Sequence, residues 1–399
     1  MSMYKLEEYE SIIEKCSHCS YCQSTCPSYL SQMSESHVAK NRLLLIKETV
    51  MHDRMPYSKK AQELLDTCLL CTNCTQTCSS KVPIVDIIIA ARIKTQEKSG
   101  GIKQTVMSKM LAQRGLTGVL TKAGSLAQKM GIATKEVPPL AAKSFDKMYS
   151  GTYTPSGEVK KRVAYFVGCG TNFFFPDTGE ATVKVLNHNG MEVVIPPGQV
   201  CCGIPTLSEG DLEGTRSMLE TNMKILADLD VDAIITDCTS CGMMFKEKAA
   251  KCLPEGDPLQ EKIAAVAGKM WEVTEYLQTE GLAETPGQLD IQWSYHVPCH
   301  RGWSPTVKDA PRKLLAQIPN ARLNEFGNPE QCCGGAGTYY MEHREEAEKI
   351  RDMRLQDINQ TESDAILTQC PVCRFYIGFK VKDREVTHPI KILARSYGL

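Results

Sequence analysis

Eighteen of the nineteen cysteines in this 399-residue chain fall into two kinds of repeated pattern. The first is Cys16-x2-Cys19-x2-Cys22-x3-Cys26-Pro27, repeated as Cys68-x2-Cys71-x2-Cys74-x3-Cys78. The second has five cysteines: Cys169, then Cys201-Cys202-Gly203, then Cys238-x2-Cys241. It recurs as Cys299, Cys332-Cys333-Gly334 and Cys370-x2-Cys373. Only Cys252 stands outside both. Thiolates are soft ligands, and thiols grouped this closely hold iron–sulfur clusters or zinc. With iron, the chemistry is one-electron transfer.

The first pattern is the bacterial ferredoxin signature. Three thiolates two residues apart let one tight loop wrap a face of a cubane and bring backbone N–H groups toward its sulfides. The fourth reaches to a neighbouring cluster. The expected ligand sets are Cys16, Cys19, Cys22 and Cys78 for one cubane 4Fe–4S cluster, and Cys68, Cys71, Cys74 and Cys26 for the other. Pro27 follows the fourth cysteine as the signature asks, while Ser79 stands in for the second proline and leaves the ligands intact. Zinc also uses CxxC pairs, but a third cysteine at the same spacing, twice over, argues for iron. His18 is expected to shield the first loop or face solvent rather than ligate.

Five thiols are one more than a cubane has irons. The fifth is a spectator, a bridge, or the mark of an opened cluster. Neighbours in extended chain point to opposite sides, so Cys201 and Cys202 address one site only if the backbone turns sharply. Gly203 permits that turn, as Gly334 does after Cys332 and Cys333. A disulfide between the adjacent cysteines is the plain alternative, and a reducing compartment argues against it. Cys238/Cys241 and Cys370/Cys373 taken alone would be a thioredoxin-like dithiol, which their place in a five-cysteine repeat disfavours. His300, beside Cys299, is a candidate proton donor or a packing residue next to a ligand. Arg301 is a candidate partner for an anionic substrate or a negatively charged cluster, and Cys252 a free thiol without a role.

The elements that position these residues follow from pattern. Residues 1–100 read as short helices around cysteine loops, with helical spacing over Glu35–His52 and over Pro83–Lys98, where Pro83 suits a helix start. Residues 101–160 hold no ligand candidates. They carry Lys103, Lys109, Arg114, Lys122, Lys129, Lys135, Lys143 and Lys147, with only Glu136 and Asp146 opposing them before Glu158. The stretch reads as amphipathic helix and then a Pro/Gly linker, a solvated connector or a docking face for an acidic partner or anionic membrane. Beyond residue 162 the chain repeats: RVAYFVGC matches IQWSYHVPC, VCCGIP matches QCCGGA, AIITDCTSC matches AILTQCPVC, and EVT at 272–274 recurs at 385–387. Strands alternating with helices over Leu212–Asp228 and Arg344–Ile358 predict an α/β sheet in each half, with ligands at the strands' carboxyl ends. The expected architecture is α+β and multidomain: an α-helical ferredoxin domain (1–100), a basic helical linker (101–160), and two homologous α/β domains (161–288 and 289–399) facing each other about a pseudo-twofold axis.

A net charge of −1 gives no ground for nucleic acid binding. No run reaches the roughly 18 apolar residues of a membrane span. The start MSMYKLEEYE is no signal peptide, so a reducing cytoplasm is expected, with any membrane link through a partner or a surface patch. No GxGxxG follows a strand, so flavin or NAD is not bound by that route.

The two five-cysteine units resemble the cysteine-rich "CCG" domains of the heterodisulfide reductase family. With the ferredoxin runs in front, nearly the whole chain outside 101–160 is similar to the D polypeptide of heterodisulfide reductase, or to its C and B polypeptides fused. It also resembles the iron–sulfur subunits of glycolate oxidase, lactate dehydrogenase and anaerobic glycerol-3-phosphate dehydrogenase. The resemblance implies a noncubane 4Fe–4S cluster on Cys169, Cys201, Cys202, Cys238 and Cys241, and another on Cys299, Cys332, Cys333, Cys370 and Cys373. Several glycolate-oxidase-type subunits lack the first cysteine of each CxxC; here Cys238 and Cys370 are present. The implied function is an oxidoreductase subunit passing single electrons from the cubanes to the paired noncubane clusters, where a disulfide is split. The alternative is an electron-transfer subunit of a flavin-dependent glycolate, lactate or glycerol-3-phosphate dehydrogenase complex. Either implies a hetero-oligomer with a flavoprotein (of the heterodisulfide reductase A kind, or an FAD-linked dehydrogenase), a membrane cytochrome b, or both.

Overall fold

The computed structural model describes residues 4–99, 102–130 and 137–399, apart from the side chains of 98, 99 and 102–105. Lys135, Glu136 and the side chain of Lys103 thus lie outside the described residues. Residues 4–83 form short helices around the cysteine loops, among them Tyr21–Ser24, Pro27–Gln32, Lys59–Asp66 and Asn73–Thr77. The helix expected over Glu35–His52 is broken. Glu35–His37 is a 3-10 turn, Val38 is extended (φ −79°, ψ 146°), Ala39–Leu45 is α-helical, and Ile46–Met51 widens to a π turn. Val38 leaves the helical path to bury its side chain completely, and Thr49 donates back to the Leu45 carbonyl at 2.7 Å, which loosens the helix there.

Ile84–Ser99 realises the helix expected from Pro83 onward. Its first two turns are apolar almost all round, with Ile84, Val85, Ile87, Ile88, Ile89, Ala90 and Ala91 buried, as befits a helix segment enclosed by two layers. On one side it closes the ferredoxin core. On the other, Arg92 donates to the Ser208 carbonyl at 2.6 Å, and Asp86 pairs with Lys248 at 2.7 Å and Lys251 at 2.6 Å. Burial raises the Asp86 pKa, but the two lysines outweigh it and hold the carboxyl below its usual value.

Two sheets follow. Strands β1 (Gly151–Tyr153), β2 (Lys161–Tyr165), β3 (Met191–Ile195), β4 (Ala233–Thr236) and β5 (Met270–Glu272) run in the order β1-β3-β2-β4-β5. Strands β6 (Ile291–Tyr295), β7 (Ala321–Leu323), β8 (Ala365–Leu367) and β9 (Glu385–Thr387) run β7-β6-β8-β9. Every pairing is parallel except β1 on β3. The order β3-β2-β4-β5 is therefore repeated as β7-β6-β8-β9. Strand β1 comes from within the stretch read as a linker, so that stretch adds an edge to the first sheet.

Register corrects one sequence match. Ile235 opposes Trp271 in the first sheet and Leu367 opposes Thr387 in the second, which makes Glu272 equivalent to His388, not to Glu385. The shared letters EVT are a coincidence. Both equivalents cap the helix that follows: Glu272 accepts from the Thr274 and Glu275 amides, and His388 from the Ile390 amide. The halves also exchange helices. Pro176–His188 of the first packs on Pro389–Ser396 of the second, and Ala310–Leu315 of the second packs on Val273–Glu280 of the first. One core, including Tyr165, Leu186, Tyr295 and Leu393, runs through both sheets. No helix among the described residues is long and apolar enough to cross a membrane.

Candidate functional site

The cysteines of each five-thiol unit sit beyond the carboxyl ends of their parallel strands, where open α/β sheets carry sites. Cys169 opens a short helix four residues past β2, and Cys238 caps another two residues past β4. The sharp turns after the paired cysteines are real: Gly203 has φ 96° and Gly334 φ 87°. A Cβ at Gly334 would lie 2.7 Å from the Ala347 carbonyl oxygen, so only glycine fits. The turns bring sulfurs together, with Cys201 and Cys169 Sγ 3.8 Å apart and Cys333 and Cys373 Sγ 3.2 Å apart. Hydrogen bonding with the Cys201 and Cys241 thiols pulls Cys202 down to about 6, and hydrogen bonding with the Cys332 and Cys373 thiols does the same for Cys333. The neighbouring Cys201 and Cys332 thiols, together with burial, push Cys169 and Cys299 upward.

Both units open onto one cavity of about 380 Å³, whose wall includes Cys169, Cys202, Cys238 and Cys241 from the first and Cys299, Cys332, Cys333, Cys370 and Cys373 from the second. Cys68 and Cys71 of the ferredoxin region line it too. Gly170 lets the halves meet, since a Cβ there would fall 2.5 Å from Pro371 Cβ.

In the ferredoxin region, Cys16, Cys19, Cys22 and Cys78 surround one small cavity and Cys26, Cys68, Cys71 and Cys74 another. Each loop places left-handed residues on either side of its second cysteine, His18 (φ 54°) and Ser20 (66°) in the first, Leu70 (53°) and Thr72 (63°) in the second. Such alternation turns successive N–H groups inward and makes an anion-binding nest of the kind found around Fe–S clusters. Four sulfurs around each cavity, three from one loop and the fourth from the other, beside such a nest fit a 4Fe–4S cluster. His18 and Lys40 line the first cavity, and the buried Arg42 lines the second.

The second ferredoxin loop is fastened to the second CCG unit. Thr72 Oγ1 donates to the Cys299 carbonyl at 2.8 Å, and Gln76 Nε2 does so at 3.3 Å. His300 bridges three segments: its Nε2 lies 3.2 Å from the Leu70 carbonyl and its Nδ1 2.9 Å from the Ser240 hydroxyl. Both ring nitrogens are engaged, and burial pulls its pKa down to about 4. Arg301 pairs with Glu330 at 2.8 Å. Cys252 is buried and donates to the Lys248 carbonyl at 3.4 Å.

Three residues near the thiols escape the sequence reading. The Arg114 guanidinium donates to the Val167 and Val200 carbonyls and faces Cys169, Cys201 and Cys241. Arg354, lowered to about 10 by burial, faces Cys333 and Cys373. Each unit thus has its own cation, placed from a different element. His296 is fully buried with neither ring nitrogen hydrogen-bonded, and it offers one within 4.8 Å of Cys333 and Cys373 Sγ. Aligning RVAYFVGC with QWSYHVPC sets it opposite Phe166, the signal that could have found it.

Comparison with known proteins agrees with this layout. A cysteine-rich domain model matches residues 163–246 and 293–378, and a 4Fe-4S dicluster domain model matches 12–82. A probable glycolate oxidase iron–sulfur subunit of Bacillus subtilis is 30% identical over 91% of this chain and 88% of its own length. The chain belongs to this family of iron–sulfur electron-transfer subunits. Its cofactors are 4Fe–4S clusters, and its relatives include subunits of a glycolate oxidase and of a fumarate reductase. The B component of a fumarate reductase (CoM/CoB) from Methanothermobacter marburgensis is 26% identical over 98% of this chain and 74% of its own. An uncharacterized iron–sulfur protein of Methanococcus maripaludis is 30% identical over 85% of this chain, which spans only 62% of that protein's length. A crystal structure of a hypothetical protein from Helicobacter pylori shares the fold, with TM-score 0.52 and 11% identity over 99% of this chain and 76% of its own.

Proposed function

We propose that the chain is the electron-transfer subunit of a heterodisulfide reductase-like complex and that a disulfide is converted to thiols in the cavity between its CCG domains. One observation carries this reading: both five-thiol units and the second ferredoxin loop line the same 380 Å³ space. The domains are taken as 1–100, 101–160, 161–288 and 289–399. Cys16, Cys19, Cys22 and Cys78 would hold one cubane, Cys68, Cys71, Cys74 and Cys26 the other, and the two five-cysteine sets would each hold a noncubane 4Fe–4S cluster. Bound there, the clusters supply one-electron redox chemistry. A pseudo-twofold relation between the CCG domains is supported by the reciprocal helix packing and by Glu272 and His388, equivalent residues whose Oε1 and Nε2 lie 3.7 Å apart.

The chain's own residues do the rest. Leu69, Leu70, Phe174 and Tyr339 give the cavity an apolar wall suited to the carbon skeleton of a disulfide. Arg114 and Arg354 offset the negative charge of five thiolates at each unit. His300, expected from the sequence as a candidate proton donor, is here a clamp: it holds the Leu70 loop against the Ser240 turn and so fixes the cavity's floor. Reduction of RSSR to two RSH consumes two electrons and two protons, and the electrons are to come from a flavoprotein partner in a reducing cytoplasm.

A second reading is favoured by the relatives' names. On it the chain accepts electrons from a flavin-dependent 2-hydroxy-acid or glycerol-3-phosphate dehydrogenase and passes them to a membrane cytochrome b; the glycolate oxidase subunit of Bacillus subtilis supports the 2-hydroxy-acid form. The test is to reduce anaerobically purified protein and add low-molecular-weight disulfides. Free-thiol release with reoxidation of the chain supports the first reading. Reoxidation at the buffer rate, with no thiol, leaves the relay.

A further inference from the structure

The Arg114–Lys129 helix is built inside out. At about 100° per residue, Thr117, Gly118, Thr121, Gly124, Ser125 and Gln128 share the face turned to the protein. Thr121 and Ser125 are buried, a Cβ at Gly124 would lie 2.4 Å from Leu140 Cδ1, and Gln128 exchanges hydrogen bonds with the Pro138 carbonyl and the Leu140 amide. Arg114 ties the helix start to the first CCG unit. The small and polar residues therefore face inward by firm contacts. The opposite face carries Leu116, Val119, Leu120, Leu126 and Met130, between 47 and 68% exposed. Exposed apolar side chains scattered singly are ordinary, but a continuous stripe along a helix is a binding face.

Charge identifies what it binds. From residue 102 to 130 the sequence has Lys103, Lys109, Arg114, Lys122 and Lys129 and not one Asp or Glu. Lys122 and Lys129 are exposed and fall along one border of the apolar stripe. An apolar stripe bordered by lysines on a helix too short to span is the form of an element lying in a bilayer interface. We propose that this helix docks the chain on an anionic lipid surface, its leucine and valine side chains in the acyl boundary and its lysines at the headgroups. Leu116, Val119, Ala123, Leu126 and Met130 leave the stripe no polar group to set a directional contact, which suits a lipid surface better than an acidic protein. The proposal stands apart from the reading of the cavity.

Flotation of the cluster-loaded full chain tests it, with vesicles of phosphatidylcholine alone or mixed with phosphatidylglycerol. The chain is expected to float with the mixed vesicles and to lose this in high salt. The triple variant Leu116→Gln/Val119→Gln/Leu126→Gln should bind at least about tenfold more weakly, with wild-type iron content as the check on folding. Wild type that fails to float, equal flotation on both vesicles, or an unaffected variant would each overturn it. Gel filtration showing a wild-type dimer that the variant abolishes would assign the stripe to a second copy instead.

Discussion

The Thr72 hydroxyl donates to the Cys299 backbone carbonyl at 2.8 Å, joining two residues 227 positions apart and setting the second ferredoxin loop against the second CCG unit. On the proposed function, electrons leaving the ferredoxin region would reach the second CCG unit by way of the Cys68–Cys74 loop. Thr72→Val should lower stability by about 1 kcal/mol, the worth of one hydrogen bond. It should also slow reoxidation of the ferredoxin clusters by a disulfide, followed by freeze-quench EPR, while iron per chain stays at the wild-type value.

His300→Phe leaves the Ser240 hydroxyl and the Leu70 carbonyl without their partner, at a cost of about 1–3 kcal/mol. As a clamp, His300 should affect the rate of thiol release and leave the shape of its pH profile unchanged. A profile that loses one limb in His300→Gln would return the residue to proton donation.

His296→Phe installs the residue that the first half already has at Phe166. Hydrogen bonds to sulfur raise cluster potentials; His296 makes none here, but its ring nitrogen, within 4.8 Å of Cys333 and Cys373 Sγ, would make one on a small closure. The substitution should lower the potential of the second CCG centre alone, by tens of millivolts on a scale where about 59 mV is tenfold for one electron. An EPR-monitored redox titration reads it; an unshifted midpoint would show that His296 gives no such bond.

Glu272 is wholly buried, and burial raises its pKa from 4.5 to about 8. Because the folded form holds the proton more tightly, this group's contribution is complete below about pH 4.5. It is lost as pH rises toward 8, by at most about 1.4 kcal/mol per pH unit. His388 and Glu275 face it. Burial pulls His388 down to about 3, so its effect runs the other way, falling as pH drops, and its contact with Glu272 near neutrality is not an ion pair. Glu272→Gln should flatten the alkaline fall of the thermal midpoint while leaving acid stability near wild type. Parallel curves for the two proteins would contradict the assignment.

The thiol chemistry was legible because cluster loops encode their ligands locally: spacing alone grouped Cys16 to Cys26 and Cys68 to Cys78, and glycine after each cysteine pair foretold the turn. The duplicated halves were legible because strands ending in cysteines repeat as words. What failed were matters of the whole fold. The helix over Glu35–His52 breaks because the core claims Val38, and strand β1 exists only because β3 offers it an edge. EVT misaligned because three shared letters carry no register. Arg114 comes from the connecting helix and Arg354 from the helix Arg344–Gln360, so no repeat pattern links them.

The central claim is that the paired CCG units hold clusters around a common cavity. Iron and acid-labile sulfide per chain, on protein purified without oxygen, test it most directly. Four 4Fe–4S clusters predict about 16 of each, falling to about 12 in Cys202→Ser. A chain with about 8 of each, unchanged by Cys202→Ser and by reconstitution with iron and sulfide, would contradict it.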